Sequence, residues 1–212
     1  MVKRIISAFL MVIFVVIVAL FYSKVFITSL FLVGFLIYCE WLKIISKKDF
    51  GCTWGWKIGG IVYVVAIVGS LLAIYQINQK IIFYLIIIVS MTDIFALVFG
   101  KLIGGPKLAP SISPNKTWSG FFGGLLISTI AGIIFIELTN VKIVFDYDIK
   151  FVILISIVIS ILAQCGDLFE SRVKRLFDVK DSGTIIPGHG GVLDRLDGFI
   201  FTAPFLLIIL KI

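Results

Sequence analysis

Long unbroken runs of apolar residues constrain this chain more than any other feature. They occupy about 5–22, 25–41, 58–75, 81–99, 119–138, 151–168 and 199–211, and most approach the roughly 20 helical residues that cross the hydrocarbon core of a bilayer. A backbone in lipid must satisfy every N–H and C=O internally, so such runs fold as helices and not as open strands. The hydrophobic share of 60% and the mean hydropathy of +1.18 leave too few polar residues to coat a soluble domain, whose apolar share is roughly 45–50%. The expectation is an all-α, polytopic integral membrane protein with about seven transmembrane helices.

The first run follows Lys3-Arg4 and at first sight resembles a secretory signal. It is longer than a usual signal core and no small-residue cleavage site follows it, so it reads as a retained helix. Only Ser23-Lys24 separates it from the second run, which predicts a tight helical hairpin there. Pro204 lies inside the last and shortest run, where a kink is expected. Positive charge is retained on the cytoplasmic side of a membrane. With a cytoplasmic N-terminus in the cell membrane, fourteen of the nineteen Lys and Arg residues fall on that side, leaving Lys24, Lys80, Lys142, Lys150 and Lys211 outside. The net charge of +7 therefore sits in short juxtamembrane loops, which suits anionic headgroups or a phosphorylated substrate and not nucleic acid. Cys39, Cys52 and Cys165 are odd in number and widely spaced, offering neither a disulfide framework nor a zinc pattern.

Two polar segments are unlike ordinary connectors. Residues 100–120 are rich in Gly, Pro and Ser, and residues 164–198 hold six of the twelve acidic residues and the single histidine, His189. Asp93 lies inside the fourth run, about six residues from its cytoplasmic end, or roughly 9 Å at about 1.5 Å per residue. An ionisable group at the bilayer centre costs at least about 2.5–3.5 kcal/mol, which makes Asp93 a functional candidate. Asp167 closes the sixth run, and Asp194 and Asp197 stand three apart at the mouth of the seventh, on one helix face. Close carboxylates repel one another. A divalent cation removes that penalty, and Mg²⁺ is usually held by one or two carboxylates plus substrate phosphates.

Between these acids run Arg172, Lys174, Arg175 and Lys180, then Asp181-Ser182-Gly183 and Pro187-Gly188-His189-Gly190-Gly191. Cations neutralise phosphate charge, and glycines let backbone N–H groups approach oxygens without a Cβ in the way. Neither GxSxG nor HExxH occurs, which argues against a hydrolase triad or a zinc protease. His189 is accordingly assigned to phosphate hydrogen bonding or loop ordering. A transporter reading would account for the intramembrane acids but not for the long Gly/Lys/His/Asp segment.

The run Ser171-Arg-Val-Lys174-Arg175, four residues, Lys180-Asp181-Ser182-Gly183, then Ile186-Pro187-Gly188-His189-Gly190-Gly191-Val192-Leu193-Asp194-Arg195-Leu196-Asp197 resembles the complete signature of the CDP-diacylglycerol synthases, or phosphatidate cytidylyltransferases. Ser113-Pro114-Asn115-Lys116-Thr117-Trp118-Ser119-Gly120 resembles the family's SPxKTWEG segment, with Ser119 where an acid is usual, and Gly166-Asp167-Leu168-Phe169-Glu170-Ser171 also fits. Around Asp93 the likeness is partial: Ala96, Gly100 and Lys101 hold their places, while Phe95 and Leu97 replace a Gly and a Tyr. The resemblance covers about residues 92 to 198. It divides the chain into N-terminal transmembrane helices (1–80) and a catalytic transmembrane region (81–212) carrying the loops 100–120 and 164–198.

The resemblance implies transfer of a cytidylyl group from CTP to phosphatidic acid in phospholipid biosynthesis, with Mg²⁺ and a second cation such as K⁺. It implies Asp167, Asp194 and Asp197 as metal ligands and Lys174, Arg175, Lys180, Arg195 and His189 around the reacting phosphates. Ser113, Lys116, Thr117, Asp93, Ser171, Asp181, Ser182, Gly190 and Gly191 are then expected to line the substrate site. The expected arrangement is a multi-pass protein with its site facing the cytoplasm, a homodimer being the candidate assembly.

Overall fold

The computed structural model describes residues 23–48, 51, 53–139, 148–183 and 190–211. The run 5–22 and His189 lie outside these residues. Helix α1 is Ser23–Ile45, α2 is Thr53–Ile77, α3 is Gln79–Leu102, α4 is Trp118–Thr139 and α5 is Ile149–Leu176. Each of the five is long and apolar enough to cross a membrane. A single turn, α6 (Leu193–Leu196), leads into the shorter apolar helix α7 (Phe199–Lys211). The chain is an all-α polytopic membrane protein, as the apolar runs predict. Ser23 and Lys24 are already helical, so the turn expected at that dipeptide is not there. Between α3 and α4 the Gly/Pro/Ser-rich segment folds into a small antiparallel hairpin, β1 (Lys107–Ala109) on β2 (Ser113–Thr117), with Lys107 opposite Thr117 and Ala109 opposite Ser113.

Local chemistry explains the joints. Asn78 alone separates α2 from α3: it is extended, and its side chain accepts a hydrogen bond from Lys80 N at 2.9 Å, capping the new helix. After Leu102, Gly104 and Gly105 both adopt positive φ, 68° and 101°. Pro106 follows, so the chain leaves α3 by a route that favours glycine and then cannot resume the helix. Within α2 the α-helical ladder gives way to a π-helical turn at Val65–Gly69.

Among the described residues, helices α3 and α4 form the most extensive helix–helix contact. Small residues at every fourth position of α4, Gly120, Gly124, Ser128 and Gly132, are buried. A Cβ on Gly120 would strike the carbonyl of Ala96, and one on Gly124 would lie 2.7 Å from that of Thr92. Close backbone approach of this kind is how helices associate in lipid, where apolar surface gains little by leaving the solvent. The other face of α4 carries Phe122, Leu126, Ile130, Ile134 and Leu138, again four apart, and all are exposed toward the surroundings that lipid would fill. Hydroxyls stitch α3 to α5 inside the bundle: Tyr84 Oη to Ser156 Oγ at 2.8 Å and Thr92 Oγ1 to Ser160 Oγ at 2.9 Å.

Candidate active site

At one end of this bundle α3, the hairpin, the start of α4, the end of α5 and α6 surround a cavity of about 680 Å³. Asp93 lines it from α3, Lys107, Asn115, Lys116 and Thr117 from the hairpin, Gln164 and Asp167 from α5, and Asp194, Arg195 and Asp197 from α6 and its exit. Acids that lie more than a hundred residues apart in the chain thus share one space with four cations, Lys101, Lys107, Lys116 and Arg195. The hairpin is tied to the helices by hydroxyls. Thr117 Oγ1 accepts from Gly120 N at 3.2 Å and meets Ser119 Oγ at 3.0 Å, and Ser119 Oγ donates to Gly104 O at 2.5 Å.

The acids are held in different ways. Lys116 Nζ reaches across from β2 to Asp167 Oδ2 at 2.6 Å, and Ser171 Oγ donates to Asp167 Oδ1 at 3.2 Å from one helical turn away. Asp194 is gripped most firmly. Lys174 Nζ donates to its Oδ1 at 2.5 Å, while Oδ2 accepts from Ser182 N at 3.0 Å, Ser182 Oγ at 2.9 Å and Gly191 N at 2.9 Å. Burial alone would raise the Asp194 pKa, but the Lys174 ammonium and the two backbone N–H groups outweigh it and hold the carboxyl at about 2. Asp197 is the opposite case. Burial, reinforced by the negative charges of Asp167 and Asp93, pushes it well above the ordinary carboxylate range, and only Gly198 N, donating at 2.7 Å to Oδ1, works against this among its hydrogen bonds.

Asp93, Asp167 and Asp197 therefore repel one another, and a cation entering the cavity would remove that cost. Among the described residues no three acidic, cysteine or histidine side chains are arranged to enclose a metal by themselves. An ion held there would have to draw further ligands from phosphate oxygens and water, as Mg²⁺ commonly does.

The other sequence-predicted residues take varied places. Lys174 is engaged with Asp194 and, at 3.0 Å, with buried Glu170. Ser182 is buried between two carboxylates, and Gly190 has φ 84° where a Cβ would press on Asp194. Ser113 is half-buried in the hairpin. Arg175 is exposed and donates to Val179 O at 3.1 Å, closing the end of α5, while Lys180 and Asp181 are exposed outside the cavity lining. Sequence reasoning overlooked Glu40. This α1 side chain is fully buried, yet it accepts hydrogen bonds from Ser182 Oγ, Val192 N and Leu193 N. The signal that marks Asp93, an acid inside an apolar run, marks Glu40 equally.

A family profile described as "Cytidylyltransferase family" matches residues 54–212. The chain belongs to the cytidylyltransferase family. Among individual relatives, the phosphatidate cytidylyltransferase of Staphylococcus haemolyticus is 49% identical over 129 residues, covering 61% of this chain and 48% of that protein. The protein of the same name from Bacillus subtilis is 46% identical over 131 residues, covering 62% and 47%. That from Rickettsia bellii is 47% identical over 135 residues, covering 63% and 58%. The chain thus spans about half the length of these relatives. Within the cytidylyltransferase match lie all of the cavity's acids, whereas Glu40 precedes it.

Proposed function

We propose that this cytidylyltransferase moves the cytidylyl group of CTP onto phosphatidic acid, yielding CDP-diacylglycerol and pyrophosphate on the cytoplasmic face of the cell membrane. The observation that carries the reading is the convergence of Asp93, Asp167, Asp194 and Asp197 with Lys101, Lys107, Lys116 and Arg195 on one cavity at the end of a lipid-facing bundle. A water-soluble nucleotide and a membrane-bound lipid can meet only at such a boundary.

In the proposed reaction a phosphate oxygen of phosphatidic acid attacks the α-phosphorus of CTP. A new P–O bond forms, the bond to the β-phosphate breaks, and pyrophosphate carries away the electron pair. The attacking oxygen is already ionised, so no proton need be removed, and catalysis reduces to positioning and charge stabilisation. When bound, Mg²⁺ neutralises phosphate oxygens, and Asp167, Asp194 and Asp197 are proposed to hold it, with Asp93 facing the same space. Lys116 would fix Asp167 and present positive charge to the triphosphate; Lys101, Lys107 and Arg195 would complete the cationic wall. Lys174 would act on the acids themselves, holding Asp194 in place. Purified protein in detergent, given CTP and phosphatidic acid, is expected to form CDP-diacylglycerol, and Asp167→Asn to abolish it. Undiminished turnover by a folded Asp167→Asn variant would refute the site.

A further inference from the structure

Glu40 poses a physical question. A carboxylate that is 0% exposed, flanked on α1 by buried Ile37, Trp41 and Ile44, is costly unless it is hydrogen-bonded. Its hydrogen bonds come from a segment more than 140 residues away. Ser182 Oγ donates to Oε2 at 3.0 Å, Leu193 N to Oε2 at 2.8 Å and Val192 N to Oε1 at 3.0 Å. Ser182 begins, and Val192 and Leu193 end, the glycine-rich stretch inside the signature run. One carboxylate therefore joins the two ends of that stretch.

The glycines bear this out. A Cβ on Gly183 would stand 2.6 Å from Glu40 Oε1, and one on Gly191 would collide with both Ser182 Oγ and Glu40 Oε2. These two positions are closed around the carboxylate, which gives them a packing reason to lack a side chain. The Ser182 hydroxyl also lies 2.9 Å from Asp194 Oδ2. Its single hydrogen sits between two carboxylates, so a shift of Glu40 moves Ser182, and with it two of the donors that hold Asp194.

We infer that Glu40, which lies outside the family match, is a positioning residue of the active site: it clasps Ser182 to the Val192 and Leu193 amides and thereby sets Asp194 in the cavity. The inference rests on the proposed cytidylyl transfer for its kinetic consequence, but its structural consequence stands apart. Glu40→Gln keeps the size of the side chain and replaces one acceptor oxygen with a donor that opposes the amides.

The test uses the full chain in detergent. Hydrogen exchange should show faster exchange at the Val192 and Leu193 amides in Glu40→Gln, with the α3 and α4 amides unchanged. Turnover per folded protein should fall about 10- to 100-fold, the scale of a small misplacement of reacting groups, while the KM for phosphatidic acid stays near the wild-type value. Glu40→Asp, which keeps the charge one methylene short, should fall between the two and serves if the Gln variant does not accumulate. Unchanged exchange at Val192 and Leu193, or exchange raised throughout the bundle with normal turnover per folded molecule, would overturn the inference. If the wild type makes no CDP-diacylglycerol, the proposed function falls, while the exchange measurement still decides the clasp.

Discussion

Lys116 and Lys174 each reach a carboxylate from a separate part of the chain, and the two pairs differ in burial. The Lys116–Asp167 pair stays about a quarter to a third exposed, so its Coulomb energy is screened and its contribution to stability is small. Lys116→Ala should leave the fold intact and yet lower turnover by about 10²–10³-fold, the scale seen when one preorganised charge-stabilising group is removed; a thermal melt and a CTP assay on the same preparation check both halves. Lys174 is 11% exposed and bridges Asp194 and Glu170, which are 14% and 1% exposed. Lys174→Met would strand two acids, and breaking a buried pair costs about 3–5 kcal/mol. Its expected signature is a clear fall in melting temperature in detergent together with lost turnover, and an unshifted melt would contradict it. Asp194, held at about 2, has its folded pKa below the free value, so its stabilising contacts persist at all pH above the ordinary carboxylate range and fade only as pH falls toward 2.

Helix α4 presents small residues to α3 and bulky ones outward. Gly124→Leu should push α4 off the Thr92 carbonyl and destabilise the protein by about 1–3 kcal/mol, the usual penalty of overpacking. Ile130→Leu on the outward stripe should leave the melt unchanged. Equal melts for the two variants would show that the α3–α4 contact is not tight. Such helices are legible in a sequence because a run of apolar residues in lipid has one backbone solution. The hairpin is not legible: Pro106, Pro110 and Pro114 punctuate its segment and hide any strand alternation, while its ends are joined by Trp118 N donating to Pro106 O at 3.1 Å. Asp93, Asp167, Asp194 and Asp197 could be picked out because acids at the ends or interiors of apolar runs need a reason to be there. That Asp194 would be gripped by Lys174 and backbone N–H groups, and Asp197 left facing other acids, depends on packing that residue spacing does not encode. Glu40 could have been picked out in the same way from the run 25–41; what the sequence hides is its partners, Ser182 and main-chain amides about 150 residues on.

For the whole molecule, the bundle and the site are one object: α1 supplies Glu40, α3 supplies Asp93 and α5 supplies Asp167. The lysine-rich end that carries them is proposed to face the cytoplasm. With Cys39, Cys52 and Cys165 replaced by Ser, a Lys47→Cys variant should react with a membrane-impermeant thiol reagent in inverted vesicles and not in right-side-out ones; the reverse pattern would turn the topology over. In the proposed transfer the α-phosphate of CTP ends on the lipid. The direct measurement follows two labels with purified protein, phosphatidic acid and Mg²⁺. Label in the α-phosphate is predicted to appear in a CDP-lipid while label in the γ-phosphate leaves as pyrophosphate, in equal amounts. Label from the γ-phosphate in the lipid, or no CTP-dependent lipid product from folded protein, would contradict it.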